Sequence, residues 1–133
     1  MPSLSDLAMP RSAIQALVVD DDSFQLALIS DILSGMGVHD ISTAASGAQA
    51  LACLSAQPER FNLMLLDLHM PGMDGFQFME ALANAGFTGG LIIVSGQSEE
   101  VRHAAALVAR LRRFSCLGSV SKPVGKAALA ALI

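Results

Sequence analysis

A chain of 133 residues, 53% of them hydrophobic and with a mean hydropathy of +0.53, can bury one sizeable core and is too apolar for extended disorder. Its formal charge of -4 and isoelectric point near 5.1 exclude nucleic-acid binding through a basic surface, which needs clustered Lys and Arg to neutralise phosphates. No stretch approaches the roughly 20 apolar residues of a membrane helix and Met1–Pro10 lacks the basic start of a secretory signal, so a cytoplasmic protein is expected.

Residues 1–12 mix Pro, Ser and Leu without a period. They are expected to form a flexible leader to a single domain over 13–133. Ile14–Val19 is rich in branched residues, which suits a central parallel strand, and Asp20, Asp21 and Asp22 crown its end. Asp22 or Ser23 then caps a helix in which Leu26, Ile29, Leu33 and Met36 recur at helical spacing, closed by Gly35 and Gly37. Ile41–Ala44 reads as a weak second strand. Ser46–Ala56 reads as a second helix with Ala50, Leu51 and Leu54 inward, stopped by Pro58.

Leu63–Leu66 is too short for a lone helix and is bounded by turn residues, so it reads as a third strand buried on both faces. Asp67 stands at its carboxyl end, before a Pro71-Gly72 turn. Asp74-Gly75 opens a helix carrying Phe78, Met79 and Leu82, which Gly86 to Gly90 breaks. Leu91–Val94 is a fourth buried strand ending in Ser95-Gly96, and Ser98 or Glu99 begins a helix to about Phe114. Leu117–Ser121 is a poor fifth strand, inferred from the alternation alone, and ends at Lys122-Pro123. Val124–Ile133 begins a fifth helix whose apolar end reads as truncated or as continuing into another domain.

Five alternations of strand and helix with short connections predict an α/β fold, a doubly wound five-stranded parallel sheet. In such a sheet the carboxyl ends of the strands face one crevice. Asp20 to Asp22, Asp67, Ser95 and Lys122 all converge there. Asp67, presented to ligand rather than lost in the core, suits a nucleophile or a metal ligand. Crowded carboxylates need a cation, and an all-oxygen site suits Mg²⁺. A Lys ammonium and a Ser hydroxyl nearby suit the oxygens of a phosphoryl group.

Plainer readings apply to several of these residues taken singly. Asp20 to Asp22 alone would be a helix cap favoured by the dipole, and only their company at the crevice points to a site. Asp74 more simply shapes a turn and caps a helix. His69 alone reads as a solvated loop histidine, and Met70, Met73, Met79 and the phenylalanines read as packing. Cys53 and Cys116 lack metal-ligand spacing and read as buried thiols. His39 and His103 carry no assignment.

In order and spacing, VVDDD at 18–22, LLDLHMPGMDG at 65–75, IIVSG at 92–96 and SKP at 121–123 resemble the receiver domain of bacterial two-component response regulators, from Ile14 to about Ile133. The resemblance implies a flavodoxin-like (βα)5 fold and a phosphorylation-dependent signalling switch. Asp67 would accept a phosphoryl group, as an acyl phosphate, from a histidine kinase or phosphotransfer protein. Asp21, Asp67 and the backbone carbonyl of His69 would ligate Mg²⁺, with Asp20 holding it through water. Ser95 would be the switch hydroxyl and Lys122 the phosphoryl counter-ion, joined to Pro123 by a cis bond. His69 and Gln97 would flank the site and tune phosphoryl loss.

The family's chemistry is self-catalysed transfer and autodephosphorylation, so no enzyme acting on other substrates is implied. An Asp-nucleophile, Mg²⁺-dependent phosphatase or hydrolase would also place Asp at a strand end, but it expects a second Asp two residues on, where His69 stands. An inactive receiver-like binding scaffold would lack an acid, the hydroxyl or the lysine, and none is missing. One departure is Ser119, where the family usually carries a Tyr or Phe whose swing reaches the output face. Four of the eight basic residues, Arg102, Arg110, Arg112 and Arg113, lie on or just after the fourth helix and are expected to serve a homodimer or output contact. The stretch RRFSCLGSVSKP is similar to receivers that precede a cyclic-di-GMP phosphodiesterase domain, with a histidine-kinase receiver or a DNA-binding output as alternatives.

Overall fold

The computed structural model describes residues 10–57, 59–70, 72–96 and 115–133. The expected fourth helix, with Gln97, His103 and the four arginines, lies outside the described residues, as do the leader to Met9, Pro58, Pro71 and the side chains of His69, Asp74 and Cys116.

After a 3-10 turn at Arg11–Ala13, strand β1 (Gln15–Val19) is followed by helix α1 (Ser23–Gly35), β2 (Asp40–Ala44), α2 (Gly47–Ala56), β3 (Leu63–Asp67), α3 (Gly75–Asn84), β4 (Gly90–Ser95), β5 (Ser115–Ser121) and a final helix, Lys126–Ala130. The five strands form one all-parallel sheet in the order β2-β1-β3-β4-β5. The expected doubly wound sheet is therefore the fold observed. Every residue of β3 and β4 is buried, as apolar strands covered on both faces must be.

Two cores flank the sheet. Leu17, Met64, Leu66 and Ile93 meet Ala50 and Leu54 of α2 and Phe78, Met79 and Leu82 of α3 on one side. Ala16, Val18, Leu63, Leu65 and Ile92 meet Ile29 and Leu33 of α1 and Leu129 of the final helix on the other. Each fully buried Leu or Ile contributes roughly 1.5–3 kcal/mol relative to exposure, so these layers fix which way each strand faces.

At the amino end of the sheet, Asn62 joins three strands. Its side-chain oxygen accepts from the Gln15 N–H at 2.7 Å, its amide donates to the Ala13 carbonyl at 3.0 Å, and its own carbonyl accepts from the Gly90 N–H at 2.9 Å. The clasp fixes the relative stagger of β1, β3 and β4, and hence where their carboxyl ends lie.

Helix entry follows the sequence closely. The Asp22 carboxylate accepts from the Phe24 N–H at 2.9 Å, and the Ser46 hydroxyl accepts from the Gln49 N–H at 3.1 Å. The last helix does not. It spans Lys126–Ala130 rather than Val124–Ile133, with Gly125 at its start in extended conformation and a turn after Ala130 that brings Ile133 back into the core. Val124 is likewise buried before the helix begins. Beyond β3 a short antiparallel pair, His69–Met70 with Met73–Asp74, surrounds the expected turn.

Candidate functional site

Parallel pairing carries four strand ends to one edge. Val19 is level with Leu66, Asp67 with Val94, and Ser95 with Ser121. The residues at or just past those ends are Asp20, Asp67, Ser95 and Lys122, as the sequence predicts. Asp20, Asp67 and Ser95 are 1%, 2% and 0% exposed, whereas Asp21 lies open to solvent.

The carboxylate oxygens of Asp20, Asp21 and Asp67 lie within 4.8 Å of one another. Asp20 is held firmly: its backbone N–H donates to the Ala44 carbonyl at 3.1 Å, and its Oδ1 accepts from the Asp22 N–H at 2.9 Å. That leaves Oδ2 turned toward the crevice, where the Lys122 Nζ lies 3.0 Å away. The same ammonium is 3.2 Å from Asp67 Oδ2. Lys122 is placed by its own backbone, whose N–H donates to the Ser95 carbonyl at 3.2 Å, and by a cis bond to Pro123.

The electrostatics follow from burial with too little positive charge. Desolvation pushes the Asp20 carboxyl above its ordinary range, and the neighbouring Asp67 charge adds to the rise against the pull of the Asp22 N–H and Lys122. Burial would lower Lys122, but its bond to Asp20 and the charges of Asp67 and Asp20 outweigh it, and the ammonium titrates above the usual lysine value. Among the described residues, one ammonium faces three carboxylates and cannot neutralise them. The donor set, three hard oxygens converging from two strand ends, fits a small divalent cation such as Mg²⁺ better than a thiophilic metal.

The sequence does not reveal that the Asp22 backbone orients Asp20. The signal is an Asp whose carboxylate can accept from the N–H two residues on, and it lies within the same acidic run already read as a cap. His69 contributes backbone to the short antiparallel pair, opposite Asp74.

A family model described as response regulator receiver domain matches residues 16–133. A probable chemotaxis protein CheY from Rhizobium etli is 31% identical over 112 residues, covering 83% of this chain and 81% of that protein. Matches to several longer curated relatives cover between 8% and 27% of their length. Among solved structures, the CheX-CheY-BeF3-Mg+2 complex from Borrelia burgdorferi is similar at a TM-score of 0.75 and 22% identity, covering 95% of this chain and 88% of that one. The N-terminal domain of a response regulator/sensory box/GGDEF 3-domain protein from Carboxydothermus hydrogenoformans is similar at 0.71 and 24% identity, covering 88% of each chain.

Proposed function

This chain belongs to the response regulator receiver domain family, and from that premise we propose that Asp67 is its phospho-acceptor, in a switch set by a histidine kinase or phosphotransfer protein. The observation that carries the reading is the buried Asp67 carboxylate at the floor of the crevice, with Asp20 and Asp21 beside it and the Lys122 ammonium 3.2 Å away. An Asp67 oxygen attacks the phosphorus of a phosphohistidine, the P–N bond breaks, and the donor imidazole retains the electron pair and takes a proton.

Lys122 stabilises charge on the phosphoryl oxygens, and the Ser95 hydroxyl, at the end of the adjacent strand, turns toward them. Asp20, Asp21, Asp67 and the His69 carbonyl would hold Mg²⁺, Asp20 through water. When bound, the ion neutralises the phosphoryl oxygens and the carboxylates together. Receiver domains typically act as signalling modules without catalysis on other substrates, and this one is read the same way. The rival Asp-nucleophile phosphatase needs an acid two residues past Asp67, and His69 occupies that position.

The receiver unit is 13–133 with 1–12 as leader. The two-component reading implies a cytoplasmic location. Among the described residues no helix is long and apolar enough to cross a membrane. Its output is a linked domain or partner, with cyclic-di-GMP phosphodiesterase the specific candidate and a homodimer the assembly.

Titrating Mg²⁺ with and without beryllofluoride tests the switch. Mutually enhanced binding that is lost in Asp67→Asn is expected. Mg²⁺ binding indifferent to beryllofluoride would leave a scaffold, and sustained turnover of phosphate esters would leave a hydrolase.

A further inference from the structure

The fifth strand is irregular at one point. Leu91 pairs with Cys116, but Ile92 pairs with Gly118, so Leu117 is the extra residue of a β-bulge. Leu117 is 1% exposed and its Cδ1 leans over Gly90, 3.1 Å from where a Cβ would stand. Gly118 follows with φ +148°, a backbone that residues with a side chain rarely adopt. Its bare face receives Leu132 from beyond the final helix: a Cβ on Gly118 would lie 2.9 Å from Leu132 Cδ2 and 3.3 Å from Cδ1. Leu132 packs against the core on the α1 side, next to Ile133, which is 1% exposed.

The same strand leads directly to the site. About 13 Å further on, at roughly 3.3 Å per residue, it runs out at Ser121 into Lys122, whose ammonium bridges Asp20 and Asp67. A hydrogen-bonded strand moves as one body, and a seat this tight has no slack to absorb a shift. Ser119, between the two points and only partly buried, has no ring to swing.

We propose that the Gly118 notch couples the phosphorylation state of Asp67 to the C-terminal segment Ala131–Ile133, an inference that rests on the receiver reading above. Leu132, wedged on Gly118, holds β5 in the position seen here. A phosphoryl group on Asp67 draws Lys122 outward, the strand follows, and Leu132 is unseated. Gly118 and Leu132 are positioning residues that touch no reacting atom.

Coupling is reciprocal, so a change at Leu132 must alter binding at Asp67. With saturating Mg²⁺ and the full chain, beryllofluoride binding is measured for wild type and Leu132→Ala. The variant binds more tightly, by about fivefold or more, because the wedge is gone. In wild type the ligand shifts the Leu132 methyl resonances, and Asp67→Asn abolishes the shift. Gly118→Ala clashes with Leu132 and is also strained at φ +148°, so adding Leu132→Ala recovers only the part of its stability lost to the clash. If Leu132→Ala does not fold, Leu132→Val carries the same test. Affinity within about twofold of wild type in the folded variant, with the Leu132 methyls unmoved, overturns the coupling while leaving the receiver reading intact. A wild-type chain that binds no beryllofluoride overturns that reading, and the coupling with it.

Discussion

Replacing Asp20 by Asn should stabilise the protein in the absence of divalent cations. Asp20 is 1% exposed, beside Asp67 and Asp21, and its carboxyl titrates above the ordinary value of 3.8 because burial disfavours its charge. A group whose pKa is raised on folding binds its proton more tightly in the folded state. Its stabilising contribution is present at low pH and is lost as pH rises from 3.8 through the folded value. At neutral pH the ionised side chain therefore costs stability, and a neutral isostere removes the cost. The Asn oxygen can still accept from the Asp22 N–H, so that bond is kept. The weakened Lys122 pairing offsets part of the gain, and the net stabilisation is expected at the scale of an ordinary single substitution, on the order of 1 kcal/mol, or about 3 °C in Tm. Urea and thermal unfolding with EDTA at pH 5 to 8 would measure it, with the advantage of Asn growing as pH rises. Saturating Mg²⁺ should reverse the order, because only wild type keeps the full set of acids. An Asn variant less stable than wild type in EDTA at neutral pH, or one indifferent to Mg²⁺, would refute the electrostatic account.

Lys122→Met removes the ammonium from two buried carboxylates and should lower metal-free stability by about 2 kcal/mol, discounted because Lys122 is 24% exposed; Mg²⁺ should recover most of the loss. In wild type, the raised Lys122 pKa contributes stability that is complete below 10.5 and lost as pH climbs through the folded value, readable as a fall in Tm in strongly alkaline buffer. Asp22→Ala should cost about 1 kcal/mol through loss of the α1 cap, yet leave Mg²⁺ affinity within a factor of two or so, because Asp20 is oriented by the Asp22 backbone and not its side chain.

The sheet and most of the site are legible in the sequence because parallel strands buried on both faces read as unbroken apolar runs that end where a polar residue is needed. Asp20, Asp67 and Ser95 each follow such a run. The fifth strand is the hardest to read, and the reason is the bulge: Leu117 and Val120 face the same core although three positions apart, which breaks the two-residue alternation. The run from Val124 to Ile133 resembles a helix by composition. Of its buried members, Val124 and Ile133 instead bracket a five-residue helix that carries Leu129, with a turn on one side and Gly125 on the other. The two-residue strands around Gly72 carry no period at all. No spacing in the sequence could have placed one ammonium between Asp20 and Asp67, since that contact depends on β1, β3 and β5 ending level in three dimensions.

The central claim is that Asp67 takes the phosphoryl group. Incubation with acetyl phosphate and Mg²⁺, followed by proteolysis and mass spectrometry, locates the modification. An acid- and base-labile phosphoryl group is expected on the peptide containing Asp67, absent with EDTA and absent in Asp67→Asn. Labelling that persists in Asp67→Asn, or that maps to Asp20, Asp21 or Ser95 in wild type, would contradict the account.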